Sequence, residues 1–215
     1  MAGFRQSPPN PALIRFAEAE RTQRGARRVL DIGCGAGRNA GPLADLGFEV
    51  LGVDLSMPML HGARDLTRRR GERLPLVQAA MNSLPLPKRS FDIVMAHGIW
   101  NLAASGAEFR RGVAEAARVS RPGAGLFVFT FSRNTLPSEA KPVPGETFVF
   151  TQFSGRPQCF LSQENLLSEL GAAGFGLDES VVAFREHNRP RPGELQASAA
   201  PVIFEGVFRL TSHSS

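Results

Sequence analysis

A glycine-rich turn and a downstream aspartate have the residue types and the spacing that bind a nucleoside. The segment VLDIGCGAGRNA carries Asp31 near the end of an apolar run and then places Gly33, Gly35 and Gly37 at every second position. Glycine reaches positive φ without strain and lets a ligand approach the bare main chain. Asp54 follows Gly35 by 19 residues, and an acidic side chain about 20 residues on is placed to hold ribose hydroxyls. The pattern therefore predicts a site for an adenosine-like ligand.

The spacing of these glycines differs from that of a dinucleotide-binding turn. Arg38 occupies the position at which the G-x-G-x-x-G fingerprint places its last glycine. A long side chain at this position obstructs the close packing of the helix that a pyrophosphate requires. The turn therefore argues against a dehydrogenase.

A second group of reactive residues follows an apolar run in the segment VMAHGIWNL. It contains His97, the only tryptophan of the chain at Trp100, and Asn101. His97 is interpreted either as a residue that orients a substrate or accepts its proton, or as a histidine that caps the backbone. Trp100 either walls a substrate pocket, where its ring face attracts a cation, or covers the end of the sheet. Asn101 is compatible with a simple turn cap.

Alternating strands and helices must position both groups. The predicted strands are apolar throughout, as expected for strands buried on both faces, and cover residues 28–33, 48–54, 74–80, 91–96 and 124–131. The predicted helices between them lie near 38–46, 56–70 and 106–119. This alternation predicts a parallel sheet with right-handed crossovers, and ligands of such sheets lie beyond the carboxyl ends of the strands. The fourth strand ends at Ala96 and His97, so His97 is expected at the crevice.

The remaining segments complete one predicted domain over residues 1–215, with an N-terminal helical segment over 1–27. Asn10 is a candidate cap for the first helix, and Ser162 caps a predicted helix over 162–175. Two further strands are expected near 177–186 and 201–211. Residues 132–160 form a candidate lid or substrate loop. Its side chains Phe148, Phe150, Gln152 and Phe153 line a lid, or the phenylalanines face the core from an edge ribbon.

Composition indicates an ordinary globular protein with one substantial core. The chain has 215 residues, of which 42% are hydrophobic and 21% charged, and no apolar run approaches the roughly 20 residues that span a bilayer. Prolines stand where a signal peptide needs its apolar stretch, so a cytoplasmic protein is expected.

Two distant cysteines and four scattered histidines give no metal motif. The net charge of +5 includes an arginine-rich run over 64–73, interpreted as a solvated helix face rather than a nucleic-acid site, because it lacks stacking aromatics.

Four segments in order resemble the motif series of class I S-adenosylmethionine-dependent methyltransferases. They are VLDIGCGAGRNA, VLGVDLSMPML, LPLPKRSFDIVMAHG and EAARVSRPGAGLFVFTF, and the match runs from about residue 28 to 131. The turn GCGAGRN is also similar to that of tellurite-resistance-type methyltransferases, over too short a segment to transfer a substrate. The resemblance implies an α/β fold with a Rossmann-like, doubly wound seven-stranded sheet, six strands parallel and one antiparallel, and helices on both faces. It implies S-adenosylmethionine as the cofactor and S-adenosylhomocysteine as the product.

The resemblance also implies a role for each matching residue. Asp31 and the backbone of Gly33, Cys34 and Gly35 would hold the methionine portion of the cofactor, and Asp54 would bind both ribose hydroxyls. Leu55 and Met59 would pack on the adenine, although Met59 also suits a core position. The expected cofactor-binding residues are Asp31, Gly33, Cys34, Gly35, Asp54, Leu55, Met59, Ala80, Met81, Asn82 and Ala96, and the expected catalytic residues are His97 and Trp100.

One position departs from the family pattern. Ala80 stands where the family usually carries an acid that accepts a hydrogen bond from the adenine amino group. Either the backbone at Met81 or the side chain of Asn82 would replace it. Losing one net hydrogen bond costs on the order of 1 kcal/mol, about tenfold in affinity, so binding would be weakened rather than abolished.

The expected activity is methyl transfer to a small-molecule acceptor by in-line displacement. The protein must chiefly align donor and acceptor, and a general base is needed only when the acceptor carries a proton that must leave. Two alternatives stay open at this point. One is an RNA or protein methyltransferase that uses the arginine-rich exterior, and the other is a catalytically silent S-adenosylmethionine-binding regulator. The sequence indicates neither the acceptor nor the oligomeric state.

Overall fold

The computed structural model describes residues 8–69, 74–189 and 200–211, so residues 70–73 of the arginine-rich run lie outside the described part. The helices are α1 (Pro11–Arg24), α2 (Ala40–Asp45), α3 (Met57–Arg69), α4 (Gly106–Val119) and α5 (Gln163–Ala172). The strands are β1 (Arg28–Ile32), β2 (Glu49–Asp54), β3 (Leu76–Gln78), β4 (Phe91–His97), β5 (Ser120–Phe131), β6 (Val149–Phe150), β7 (Gln158–Cys159), β8 (Phe175–Leu177), β9 (Arg185–His187) and β10 (Ile203–Leu210).

The main sheet has the order β3-β2-β1-β4-β5-β10-β8 and confirms the expected α/β class. The first five strands in this order, from β3 through β2, β1 and β4 to β5, pair in parallel. β10 pairs antiparallel to β5, and β8 pairs antiparallel to β10, so β8 has the same direction as the first five strands. β9 also pairs antiparallel to β10, so among the described residues the sheet has eight strands, of which seven run in one direction and β10 opposes them. Because the carboxyl ends of β1, β2 and β4 meet at one edge, the predicted ligand-binding segments are brought together there.

The strand expected over residues 177–186 is wrong as a single element. Two short strands, β8 and β9, pair with different parts of β10, Phe175–Leu177 with one end and Arg185–His187 with the other. Between them the Asp178 side chain accepts a hydrogen bond from the Ser180 backbone at 3.0 Å and another from Arg209 at 2.7 Å. A side-chain turn of this kind competes with the strand ladder and interrupts the pairing.

Helices cover both faces of the sheet. Helix α1 packs through Leu13 and Phe16 against one face, where Leu43 of α2 joins the same cluster. Helices α4 and α5 pack through residues such as Phe109 and Leu166 against the other face. The layers form because each strand alternates its side chains between the two faces and every strand of the parallel part is apolar on both.

The expected helix caps are present. The Asn10 side chain accepts hydrogen bonds from the backbone of Ala12 and Leu13 at 2.9 and 3.2 Å, and Ser162 accepts one from Asn165 at 3.1 Å. Helix α4 covers the predicted residues 106–119 and begins at Ser105, whose side chain accepts from the Glu108 backbone. Asn10 thereby fixes the start of α1 at the edge of the sheet where the candidate site lies.

Residues 146–160 form a small ribbon rather than an open loop. Strands β6 and β7 pair antiparallel, with Phe148 and Phe150 buried beneath them, as in the edge-ribbon interpretation. Phe153 is 41% exposed, and its ring lies 5.5 Å from that of Phe131 at the end of β5. Between the two strands, residues 152–157 at the tip of the ribbon are exposed. Among the described residues, no helix combines the length and the apolarity needed to cross a bilayer.

Candidate functional site

The glycine-rich turn folds against the end of the neighbouring strand. The backbone N–H groups of Gly33 and Cys34 both donate to the Val53 carbonyl, at 2.7 and 2.9 Å. Gly33, Gly35 and Gly37 have φ values of +74°, +54° and +81°, which only glycine adopts without strain. A Cβ atom at Gly35 would meet no atom within 4 Å. The turn therefore presents bare main chain to open space, as a ligand pressed against it requires.

Asp54 connects the turn to the end of β2. One carboxylate oxygen accepts a hydrogen bond from the Gly35 backbone at 2.8 Å, and the other accepts one from the Ser56 backbone at 2.8 Å. Each oxygen keeps a further lone pair that can accept from a hydroxyl. Leu55 follows immediately and is 66% exposed, while Met59 is half-buried. The arrangement suits two ribose hydroxyls beside an apolar side chain.

Asp31 is a buried carboxylate to which none of the described residues donates a hydrogen bond. It is 2% exposed at the end of β1, and burial raises its pKa to about 7, with a further contribution from the nearby Asp54 charge. The Arg38 guanidinium opposes this shift. A carboxylate in such surroundings is stabilised by a cationic ligand. The residues present therefore fit a molecule that combines a ribose with a positively charged group.

The other predicted cofactor-binding residues lie around the same edge. The Ala79 backbone N–H donates to the Asp54 carbonyl at 3.2 Å, which places the segment containing Ala80, Met81 and Asn82 next to Asp54. Cys34 and Ala96 are buried, so that only their backbone is suited to contact a ligand. Burial also raises the pKa of the Cys34 thiol, which is therefore no nucleophile.

His97 lies at the end of β4 on the face covered by α1. An Arg38 N–H donates to its Nδ1 at 3.1 Å, Asn10 Nδ2 lies 3.3 Å from its Nε2, and the ring stacks on Phe129 with centroids 4.1 Å apart. Burial and then the Arg38 charge lower the pKa of His97 to about 4. The ring is therefore neutral at pH 7, with Nδ1 accepting from Arg38.

Trp100 lies in the core and not along the crevice. The ring is 0% exposed and packs edge-on against Phe109 of α4, with centroids 5.9 Å apart. A Cβ atom at Gly112 would come within 3.3 Å of the indole nitrogen, so glycine at this position of α4 makes room for the ring. Asn101 is buried in the same 3₁₀ turn. Gly112, a glycine inside the predicted helix over 106–119, was the sequence signal that the Trp100 ring is buried there.

Sequence reasoning missed three polar residues that organise the site. Arg38 donates to His97 Nδ1 at 3.1 Å, and its charge also opposes the rise of the pKa of Asp31. Asn10 donates through Nδ2 to the buried Glu205 at 2.7 Å, and Glu108 accepts from Asn82 at 3.3 Å. Asn10 and Glu108 meet their partners across 195 and 26 residues of the chain, so no local pattern reveals these two contacts.

Known proteins provide an independent comparison. A family model described as a methyltransferase domain matches residues 30–129. The demethylmenaquinone methyltransferase of Thermus thermophilus is 32% identical over 193 residues, which cover 87% of this chain and 79% of that protein. The demethylmenaquinone methyltransferase of Renibacterium salmoninarum is 34% identical over 110 residues, which cover 51% of this chain and 43% of that protein. The chain thus spans less than half the length of this second relative.

A solved structure agrees with the same fold. The 1,6-didemethyltoxoflavin-N1-methyltransferase of Burkholderia thailandensis, with bound 1,6-didemethyltoxoflavin and S-adenosylhomocysteine, gives a TM-score of 0.68 at 20% identity. The match covers 94% of this chain and 79% of that one. At this identity the likeness shows the fold alone.

Proposed function

Because the chain belongs to the class I S-adenosylmethionine-dependent methyltransferases, we propose that it transfers a methyl group from S-adenosylmethionine to a small-molecule acceptor by in-line displacement. The observation that carries the proposal is the convergence of a buried carboxylate, a bare glycine turn and a second carboxylate at one edge of the sheet. These are Asp31, the turn through Gly35, and Asp54. S-adenosylmethionine, when bound, supplies a methyl group already activated by the positive sulfur.

The assignment of residues follows from this geometry. Asp54, fixed by two backbone N–H groups, accepts hydrogen bonds from the ribose, and Leu55 lies exposed beside it. Asp31 balances the positive charge of the methionine portion, and the backbone from Gly33 to Gly35 approaches it closely. These groups bind and orient the donor, which is the main contribution a protein makes to such a displacement.

We assign His97 a positioning role rather than that of a general base. Nδ1 is engaged by Arg38, the ring is stacked on Phe129, and a pKa near 4 makes the imidazole a weak acceptor of protons at neutral pH. His97 thereby holds the Arg38 guanidinium near Asp31. Trp100 supports the end of β4 from within the core.

The acceptor is proposed to be an aromatic small molecule. Two relatives are named as demethylmenaquinone methyltransferases, so their named substrate is a quinone. In this chain, four phenylalanine rings cluster where β5 ends, and Phe153 at the ribbon tip is 41% exposed. Aromatic side chains of this kind stack on a planar apolar ligand. The members of the cluster are Phe131, Phe150, Phe153 and Phe160.

Calorimetry and an acceptor screen test the proposal. The protein should bind S-adenosylmethionine and S-adenosylhomocysteine and not NAD, and Asp54→Ala should weaken that binding at least tenfold. Incubation with reduced quinones lacking one ring methyl group should then release S-adenosylhomocysteine. Binding of NAD alone would overturn the cofactor assignment. Cofactor binding without turnover on any acceptor would instead support the silent regulator.

A further inference from the structure

The purine ring of the cofactor needs an acceptor for its amino group that Ala80 cannot supply. The described segment from residue 76 to 85 contains no carboxylate, and its only amide side chains are Gln78 and Asn82. An amide oxygen is a competent acceptor for an N–H donor. The two amides, beside the exposed hydroxyl of Ser83, are therefore the side-chain candidates for recognition of the adenine amino group.

Asn82 is held in one orientation by α4. Its Nδ2 donates to Glu108 Oε1 at 3.3 Å. The second oxygen of Glu108 accepts from the Ala104 backbone at 2.8 Å, and the Glu108 backbone donates to Ser105 at 3.1 Å. Because an ionised carboxylate only accepts, it binds the NH₂ group of Asn82 and excludes the flipped amide. The Asn82 carbonyl oxygen is thereby turned away from Glu108.

The segment that carries Asn82 lies beside the ribose carboxylate proposed at Asp54. Ala79 is bonded to the Asp54 carbonyl at 3.2 Å, and Ser83 donates to the Ala80 carbonyl at 3.1 Å, so the turn is fixed beside the ribose carboxylate. Asn82 is half-buried, with Met81 buried next to it. Gln78, in contrast, is exposed on β3, and its Nε2 donates to the Leu55 carbonyl at 3.1 Å.

We propose that Asn82 Oδ1 selects the 6-amino group of the cofactor's purine ring and that Glu108 is the positioning residue that fixes it. The proposal rests on the proposed function and deepens it, because it names the residue pair that makes the site specific for adenine. The pair replaces a single acid by an amide locked against a helix carboxylate. A 6-oxo purine would place its own acceptor against Oδ1 and be disfavoured.

Paired ligands test the assignment. Affinities for S-adenosylhomocysteine and for S-inosylhomocysteine, which carries a 6-oxo group, are measured by calorimetry on each variant. The wild type should prefer the adenosyl ligand about tenfold or more, the loss expected for one hydrogen bond. Asn82→Ala should lose most of this preference, because only the affinity for the adenosyl ligand should fall. Glu108→Gln should reduce the preference, because a carboxamide also binds the flipped orientation of Asn82.

Matched variants separate the proposal from its rivals. Asn82→Asp should bind worse than wild type, because it sets a second carboxylate against Glu108, and Asn82→Asp with Glu108→Gln should recover binding. Gln78→Ala should keep the preference. An unchanged preference in Asn82→Ala, or its loss in Gln78→Ala, would overturn the assignment while leaving the proposed function standing. If the wild type bound neither ligand, both the adenine assignment and the proposed function would be contradicted. Thermal unfolding checks that each variant is folded.

Discussion

Asp31 and His97 are buried ionisable groups at the same edge of the sheet, and their pKa values are displaced in opposite directions. Burial disfavours the charged form of each, so the pKa of Asp31 rises to about 7 and that of His97 falls to about 4. Arg38 lowers both. At neutral pH the site thus holds a neutral imidazole and a carboxyl group near its midpoint of titration.

The stability of the protein should depend on pH through both groups with opposite sign. The contribution of Asp31 is complete below its ordinary pKa of 3.8 and is lost as pH rises through about 7. The contribution of His97 is complete above its ordinary pKa of 6.5 and is lost as pH falls through about 4. Between about pH 4 and 6.5 the two slopes therefore oppose each other.

Single substitutions should separate these slopes. Relative to the wild type, Asp31→Asn should make the free energy of unfolding rise more steeply with pH in this window, and His97→Gln should make it fall. Each full proton of difference corresponds to about 1.4 kcal/mol per pH unit. Urea unfolding at several pH values measures both slopes. Equal slopes in the two variants would contradict the assigned pKa directions.

Cofactor binding should release a proton from Asp31. A cation placed beside this carboxyl group favours its ionised form, so the pKa of Asp31 should fall on binding. The release should be measurable near pH 6.5 by calorimetry in two buffers that differ in ionisation enthalpy. Asp31→Asn should abolish the dependence on buffer. A proton release of the same size in that variant would assign it to another group.

The convergence of the glycine turn and Asp54 was predictable because one strand-turn-helix unit carries the glycines and the neighbouring parallel strand ends at Asp54. The glycines and Asp54 are brought together by local geometry and by neighbouring parallel strands, which the spacing already encodes. The burial of Trp100 depends instead on how the turn after β4 meets α4. The contact between Asn82 and Glu108 joins different layers and has no local signature.

At the scale of the element, the glycine turn has two positions with different constraints. A Cβ atom at Gly33 would lie 2.6 Å from the Ile99 side chain, whereas one at Gly35 would meet nothing within 4 Å. Both residues have positive φ, which costs other residues about 1 kcal/mol. The first position is therefore limited by packing within the protein, whereas packing leaves the second open.

Alanine substitutions should distinguish the two positions. Gly33→Ala should lower the free energy of unfolding by about 2–3 kcal/mol, because strain and the Ile99 clash add. Gly35→Ala should cost about 1 kcal/mol in stability yet weaken S-adenosylmethionine binding at least tenfold. Gly25→Ala, with φ +67° and open surroundings at the end of α1, controls for positive φ alone and should leave binding unchanged. If Gly35→Ala bound S-adenosylmethionine with wild-type affinity, the turn would not be part of the cofactor site.

Elements with local caps and clear periodicity were predicted well, and an element whose end involves a distant side chain was not. Helix α4 matches residues 106–119 because Ser105 and Glu108 define its start. The strand expected over 177–186 divides into β8 and β9 at Asp178, which accepts from the Ser180 backbone and from Arg209, a residue 31 positions away. The turn to Ser180 is local, whereas the contact with Arg209 has no signature within the strand.

At the scale of the whole molecule, a buried ion cluster joins the first helix to the last strand. Arg209 of β10 donates to Glu20 of α1 at 2.6 Å, to Asp178 at 2.7 Å and to the Gly123 carbonyl at 2.9 Å. The side chain of Glu20 is 4% exposed and that of Arg209 is 17% exposed. Helix α1 also supplies Asn10 to the candidate site, so this cluster anchors an element that shapes the crevice.

Removal of Arg209 should therefore destabilise the fold and loosen the site together. Arg209→Met should lower the free energy of unfolding by about 3 kcal/mol, because among the described residues it leaves the buried Glu20 carboxylate only the partly exposed Arg24 as an ion-pair partner. Arg110→Met, which breaks the bidentate but 55% exposed pair with Glu169, should cost less than about 1 kcal/mol. Urea unfolding measures both, and hydrogen exchange should show faster opening of α1 in Arg209→Met alone. Equal losses in the two variants would mean that burial does not strengthen the Arg209 cluster.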